Sequence, residues 1–283
     1  MSLFVQQNHS CCDFSSNESW IILSAIEQSI KRKIEAVGIP LKEWNIKINY
    51  GIKTGFNDAF IISTEKREEI LSNCIDEDER ERTAAIIRPI LRGRDIKRYG
   101  YNWADLWLIN THNGVKGAIP RIDVNDYPAI KQHLDCYWDS IAVRADKGDT
   151  PYNLRNCAYL EDFNKPKIVY REIGTDMDAC LLSEEFVVNN KLYILTGNHL
   201  EYLITFFNSR VFNKILMKAA NITGGKGADF MYNVPVPMPS QSILQAISAT
   251  DFACNMEAQK HVDVLFFELL GLSEQERSWI SSE

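Results

Sequence analysis

The sequence has no apolar run approaching the ~18 residues of a membrane span, so no transmembrane helix is expected. Residues 1–10 lack a basic stretch followed by an apolar one, so no secretory signal is expected either. The seven cysteines (Cys11, Cys12, Cys74, Cys136, Cys157, Cys180 and Cys254) form no CxxC pair, and the five histidines show no metal-ligand spacing with them. An odd, scattered set argues against a disulfide framework and a structural zinc. It favours reduced thiols in a cytoplasmic protein. There is no GxSxG, no HExxH and no phosphate loop. Gly224-Gly225-Lys226-Gly227 follows no strand, and no serine or threonine follows its lysine. Internal repeats and low-complexity segments are also missing. No catalytic residue and no metal ligand is assigned.

What remains is an ordinary globular composition, 45% apolar and 24% charged, over 283 residues, enough for one large domain or two small ones. The formal net charge of −7 argues at first against nucleic acid, but its distribution does not. Residues 65–82 hold eight acids and four bases, and residues 249–283 hold seven acids and two bases. The rest of the chain therefore carries +2. Phosphates respond to charges within a Debye length of ~10 Å, so a locally basic surface is compatible with an acidic chain.

Hydrophobic periodicity predicts a helix over 19–37, stopped by Gly38 and Pro40. Alternation predicts a strand over 44–50, then a turn at 51–55 and a strand at 59–62. Residues 65–82 read as one charged helix, and 86–200 as strand-rich, with short β runs at 106–109, 167–173, 186–188 and 192–195. Asn198 with Glu201 resembles a capping box opening a helix over 198–219, with Leu200, Leu203, Ile204, Phe207, Val211, Ile215 and Ala219 on one face. Residues 221–227 read as a loop, and 234–239 (VPVPMP) as an extended linker. A long helix over 240–270 closes at Gly271. The two late helices are expected to pair antiparallel, Phe207, Val211 and Ile215 facing Phe252, Met256 and Leu265.

Two clusters carry chemistry. Residues 88–101 (RPILRGRDIKRYGY) set Arg88, Arg92, Arg94, Lys97 and Arg98 against the single acid Asp95, with Tyr99 and Tyr101 beside them. Guanidinium groups grip phosphates or bind guanine edges bidentately, and tyrosines stack or donate a hydrogen bond. Residues 144–156 (RADKGDTPYNLRN) read as a loop carrying Arg144, Lys147, Tyr152 and Arg155. Lys53, Thr54 and Asn57 are donors on a glycine turn, and Lys226 adds a cation in the 224–227 loop. Two other readings stay open. Asp95-Ile96-Lys97, with Asp76, Asp78 and Glu81 upstream, has the form of a metal-dependent nuclease. The C-terminal helices alone would suit a protein-interaction scaffold.

These pieces, in this order, resemble the TaqI-like C-terminal specificity domain of type IIG restriction-modification enzymes and related N6-adenine DNA methyltransferases. The resemblance is carried by Pro40-Leu41-Lys42-Glu43-Trp44, GIKTGFNDAFII (51–62), IIRPILRGRDIKRYGY (86–101), KGDTPYNLRNCAY (147–159), KPKIVYREI (165–173) and VPVPMP (234–239). It implies an α+β fold: an irregular β-rich body, of the DNA methylase specificity type, with a C-terminal antiparallel α-hairpin. On it the chain divides into a connector helix (1–45), a target recognition body (46–197) and a helical hairpin (198–283). The partners it implies are double-stranded DNA and an upstream methyltransferase domain of the same bacterial polypeptide, with no membrane. It implies DNA contacts at Lys53, Thr54, Asn57, Arg88, Arg92, Arg94, Lys97, Arg98, Tyr99, Arg144, Lys147, Tyr152, Arg155 and Lys226. The chain lacks the S-adenosylmethionine glycine motif and the Asn/Asp-Pro-Pro-Tyr/Phe motif of that family. It is therefore expected to bind DNA, to hold no cofactor and to catalyse nothing, with S-adenosylmethionine and Mg²⁺ belonging to the parent enzyme.

Overall fold

A computed structural model describes residues 22–182, 186–223, 225–248 and 256–282. The chain forms two compact units, one of residues 48–170 and 180–196, the other of 1–47, 171–179 and 197–283.

The first unit is built on a four-stranded sheet in the order Val187–Val188, Ile87–Leu91, Leu106–Ile109, Ile61–Ser63. Val187–Val188 runs parallel to its neighbour, and the other pairs are antiparallel, with Ile87 opposite Ile109 and Ile61 opposite Leu108. Ile87, Ile90 and Leu91 hold the strand Ile87–Leu91 in the core, while Arg88 between them stays half-buried. A second sheet takes the order Ile46–Tyr50, Leu192–Gly197, Lys167–Arg171, Ala179–Leu182. Val169, Leu182, Leu192 and Ile194 from it join the same core as Ile90, Leu108 and Phe60.

Several expectations change here. Residues 59–62 are not one strand: a helical turn, Asn57–Phe60, precedes the strand Ile61–Ser63. The charged stretch 65–82 is two helices, Thr64–Ser72 and Glu77–Ile86. Asp76 caps the second by accepting from the Glu79 amide at 2.8 Å. Glu79 is itself buried and accepts from the backbone of Ile75 (2.7 Å) and Ala129 (2.9 Å), which fixes the break. The strand-rich region also contains two helices, Pro128–Asp135 and Trp138–Val143, which add Ile130, Leu134 and Ile141 to the core.

In the second unit the first helix is Ala25–Val37, capped by Ser24 and Glu27 in a reciprocal box. Residues 19–21 of the expected helix lie outside the described residues. The proline-rich segment is no linker: Pro235–Pro237 pairs antiparallel with Gly38–Pro40, Ile39 opposite Val236. A Cβ on Gly38 would meet the Ile34 carbonyl and Pro235 at 2.7 Å, so only glycine lets the two strands approach. Asn198 caps nothing. The helix Leu200–Phe207 starts instead from His199 in the left-handed region (φ 57°). It is buried on all sides, from Tyr202 to Phe207, and so is no amphipathic stripe. The chain continues through a π-helical turn, Phe212–Leu216, into Met217–Thr223, so the start of the expected 221–227 loop is helical. Gly224 lies outside the described residues.

Of the expected helix over 240–270, Gln241–Ser248 and Met256–Leu269 are helical, and 249–255 lie outside the described residues. Met256–Leu269 does run antiparallel to the helix of residues 200–207. Asp263 accepts from the Arg210 amide at 3.0 Å, and three residues later Phe266 meets Phe206 (5.1 Å between centroids) and Tyr202 (5.9 Å). The facing residues are thus Phe206 and Phe266, with Leu265 only half-buried. Phe252 and the Met256 side chain lie outside what is described. An unforeseen last helix, Glu274–Ser281, ties to the first helix through Glu276, which takes hydrogen bonds from Lys33 (2.6 Å) and Ser29 (2.8 Å). Among the described residues, no helix is long and apolar enough to cross a membrane.

Candidate nucleic-acid interface

The 88–101 cluster leaves the core at Leu91 and makes a short helical turn, Gly93–Asp95. It then folds into a two-residue ladder, Ile96–Lys97 against Gly100–Tyr101. Arg98 and Tyr99 form the tip of this hairpin. Tyr99 sits in the left-handed region (φ 64°), a conformation that costs a non-glycine residue of order ~1 kcal/mol and is concentrated at functional sites. The cations of this segment fall into two kinds. Arg92 is committed: its Nε and Nη2 donate to Asp95 at 3.1 and 3.0 Å, and its backbone N–H donates to the same carboxylate at 2.8 Å. Arg88, half-buried, donates to Asn164 at 3.1 Å. Arg94 and Lys97 are exposed and have no ion-pair partner among the described residues, and Arg98 is exposed beside them.

That arrangement removes the nuclease reading. Asp95 is 3% exposed and both its oxygens are taken by Arg92. Among the described residues no group of three acidic, histidine or cysteine side chains is placed to hold a metal. The scaffold reading loses its motive too, because Phe206, Phe207 and Phe266, the residues that would form an apolar patch, are buried within their own unit.

The 144–156 cluster is a loop, as expected, but its first arginine is its fastener. Arg144 is 6% exposed and lies 4.4 Å over the Phe60 ring. It donates to the carbonyls of Pro151 (2.5 Å), Asn153 (2.6 Å), Asp146 (3.2 Å) and Ile141 (3.4 Å). Burial pushes its pKa down to about 10, against the pull of Asp146, so it stays charged at neutral pH. Asn153, 1% exposed, passes the constraint on: its amide donates to the carbonyls of Ile122 (2.9 Å), Thr111 (3.4 Å) and His112 (3.5 Å). The loop is thereby fixed to a neighbouring hairpin, residues 112–122.

The structure also joins two clusters that are far apart in sequence. Asp146 pairs with Lys53 at 2.8 Å and with Arg155 at 3.2 Å. Hydrogen bonding from Lys53, with a further contribution from Arg155, holds the Asp146 carboxyl below its usual range. Lys53 and Arg155 remain 39% and 48% exposed, and such surface pairs are worth only ~0–1 kcal/mol. A phosphate can compete with Asp146 for either. Lys147 is exposed with its ammonium on the Ala142 carbonyl at 2.6 Å. Tyr152 donates to Asp135 at 2.6 Å and packs on Trp138. Thr54 is buried, donating to Asn57 at 2.6 Å, and shapes the turn rather than its surface.

Lys226 is corrected outright. It is 0% exposed, in the other unit, donating to the carbonyls of Gly174 (3.1 Å) and Asp176 (3.0 Å). Burial first, then Arg171 nearby, push it down to about 8. Lys226→Met is expected to cost about 1–3 kcal/mol of stability, by leaving two carbonyls without that donor. It is expected to leave the salt dependence of DNA binding unchanged. Urea unfolding and a salt titration check the two halves; a flattened salt slope at full stability would restore it as a phosphate contact. Arg144 and Thr54 likewise belong to the scaffold. Sequence reasoning missed Asn153's role and the hairpin at 112–122, since backbone carbonyls as partners leave no trace in residue types.

Residues 88–227 match the TaqI-like C-terminal specificity domain. The type II methyltransferase M.PaeR7I of Pseudomonas aeruginosa is 23% identical, over 92% of this chain and 44% of its own. Among solved structures, the type IIL restriction-modification enzyme MmeI in complex with DNA is similar in fold. Its TM-score is 0.59 at 12% identity, over 86% of this chain and 35% of that one. The type IIG restriction endonuclease BpuSI gives a TM-score of 0.47 at 13% identity, over 92% and 34%. The chain thus spans less than half the length of the curated relative it matches.

Proposed function

From the match of residues 88–227 to the TaqI-like C-terminal specificity domain, we infer that this chain is the DNA target recognition part of a restriction-modification protein. The observation that carries this is the first unit's surface. Arg94 and Lys97 stand exposed on one segment with no ion-pair partner among the described residues, and Lys53 and Arg155 share a single acid elsewhere. Cations on cross-anchored loops are what phosphate gripping and base reading need. In this reading the chain catalyses nothing, and a longer bacterial, cytoplasmic parent supplies an adenine methyltransferase domain, with or without a nuclease. S-adenosylmethionine and Mg²⁺ belong to those other parts.

The test is a fluorescence titration of the chain, and of its variants at Arg88, Arg92, Arg94, Lys97 and Arg98, against cognate and scrambled duplexes. Affinity is expected to fall steeply with salt, each phosphate contact contributing a slope of ~0.9. Arg94→Ala is expected to cost about 1–3 kcal/mol on the cognate site if it binds a base edge, and Lys97→Ala to weaken both duplexes alike. Arg92→Ala is expected to act through stability, since it unpairs buried Asp95. A wild-type chain that binds neither duplex at roughly 50 mM salt, where phosphate contacts are strong, ends the proposal.

A further inference from the structure

The hairpin of residues 112–122 (HNGVKGAIPRI) is not among the residues so far given a role on the DNA. Val115 and Ile119 exchange both backbone hydrogen bonds, at 2.8 and 2.9 Å, and the Ile122 amide closes onto the His112 carbonyl at 3.1 Å. Gly114 (φ 72°) and Gly117 (φ 80°) take the left-handed turns that this tight shape requires. A Cβ on Gly114 would meet the Ile119 carbonyl at 2.4 Å. The base is held from both sides: Asn153 bonds the carbonyls of His112 and Ile122, and Asn113 accepts from the Asp149 amide at 2.8 Å. Between the hairpin and residues 149 and 156–158 lies a groove of about 840 Å³. Lys116 and Arg121 line it, both exposed and without an ion-pair partner among the described residues. The acid on the opposite wall, Asp149, is engaged by the Asn113 amide at 3.1 Å.

From this geometry we propose that the hairpin is a second DNA-backbone clamp, with Lys116 and Arg121 each neutralising a phosphate of a strand lying in the groove. The proposal rests on the target recognition reading above. The walls favour a sugar–phosphate strand over other occupants. Their apolar side chains are aliphatic or small, Val115, Ile119 and Pro120 being the bulkiest, and they hold no aromatic anchor of the kind that a small-molecule site or a protein hot spot uses. Two cations with no ion-pair partner among the described residues, held on a pre-formed turn, suit a regularly spaced polyanion. The same Asn153 that fixes the hairpin is fixed by Arg144, so this clamp and the 144–156 loop are presented as one rigid piece.

The experiment measures binding of the 283-residue chain and its Lys116→Ala, Arg121→Ala and double variants to cognate and scrambled duplexes over a salt series. Arg94→Ala serves as the reference. Among the described residues neither side chain has an ion-pair partner to lose, so the melting temperature is expected to stay at the wild-type value. Each single variant is expected to lower affinity about eight-fold at 0.1 M salt and to flatten the salt slope by ~0.9, equally on both duplexes, because each contact releases ~0.9 counterion. The double variant is expected to lose the product. Unchanged affinity and slope, with Arg94→Ala weakened, overturn the clamp and leave the recognition reading standing. A loss on the cognate duplex alone overturns the backbone assignment. A wild-type chain that binds no duplex overturns both readings.

Discussion

Replacing Arg144 by methionine is expected to lower the unfolding free energy of the first unit by about 3–5 kcal/mol, although the position reads in sequence as a surface cation. Methionine keeps the apolar stem over Phe60 but removes every donor. The carbonyls of Pro151 and Asp146 then lose the guanidinium that serves them. The Asn153 carbonyl keeps the Gly148 amide, at 2.9 Å. A buried acceptor left without a partner costs about 1–3 kcal/mol, and the lost cation–π contact adds up to ~2 kcal/mol in a desolvated setting. The damage is expected to spread along defined bonds. Amide exchange is expected to accelerate at Gly148, Asn153 and Leu154, whose N–H groups bond within or onto this loop, and at Ile122 in the hairpin that Asn153 holds. Urea unfolding with exchange mass spectrometry measures both. DNA affinity is expected to fall on all sequences alike, as a consequence of the loosened loops. Wild-type stability together with lost DNA affinity would return Arg144 to the DNA surface.

Arg144 also marks what the sequence could and could not disclose. The alternation within 44–50 and the short β runs at 106–109, 167–173, 186–188 and 192–195 were legible because a strand's pattern is local. So was the antiparallel packing of the last long helix on the helix of residues 200–207. The misread elements have non-local causes. The first of the two charged helices ends at Asn73, and Asp76 begins the second through a cap that seven other nearby acids conceal in composition. The helix Pro128–Asp135 has only two turns, too few for a clear period. The VPVPMP run obeys the rule that proline avoids interior strands and yet forms a ladder, because a two-stranded ribbon asks few amides of it. Its partner, Gly38–Pro40, lies almost two hundred residues away.

At the candidate site the residue types were legible and their commitments were not. Arg92 and Arg94 are indistinguishable by composition, yet one is bound to Asp95 and the other is exposed with no ion-pair partner among the described residues. Lys226 in a Gly-Gly-Lys-Gly run reads as an exposed cation but is enclosed by the carbonyls of residues 174 and 176. Conversely, Lys53 and Arg155 stand some hundred residues apart and meet at Asp146. Where partners are backbone carbonyls or distant acids, only the fold assigns them.

The acid sensitivity of the second unit is expected to centre on Glu276. Glu276→Gln is expected to cost about 3 kcal/mol at pH 7, with wild type and variant converging as the pH falls towards about 2. Burial by itself would raise this carboxyl. Hydrogen bonds from Lys33, the Ser273 amide and the hydroxyls of Ser29 and Ser273 outweigh it and hold the pKa at about 2, against 4.5 for an ordinary glutamate. At 1.36 kcal/mol per unit, that difference amounts to about 3 kcal/mol. The folded state releases its proton more readily than the unfolded chain. The stabilisation is therefore complete above pH ~4.5 and disappears as the pH drops through the folded value. Glutamine keeps one carbonyl oxygen for these donors but turns an N–H₂ group towards Lys33 and the Ser273 amide, where no acceptor waits. Glu27 on the same first helix is also lowered: its burial is outweighed by Lys218 and Ser24. It titrates in both proteins, so it cancels in the comparison. Urea unfolding of both proteins at pH 7, 5, 4 and 3 reads the effect. If the gap between them stays constant down to pH 3, the ion pair with Lys33 is not what acid removes.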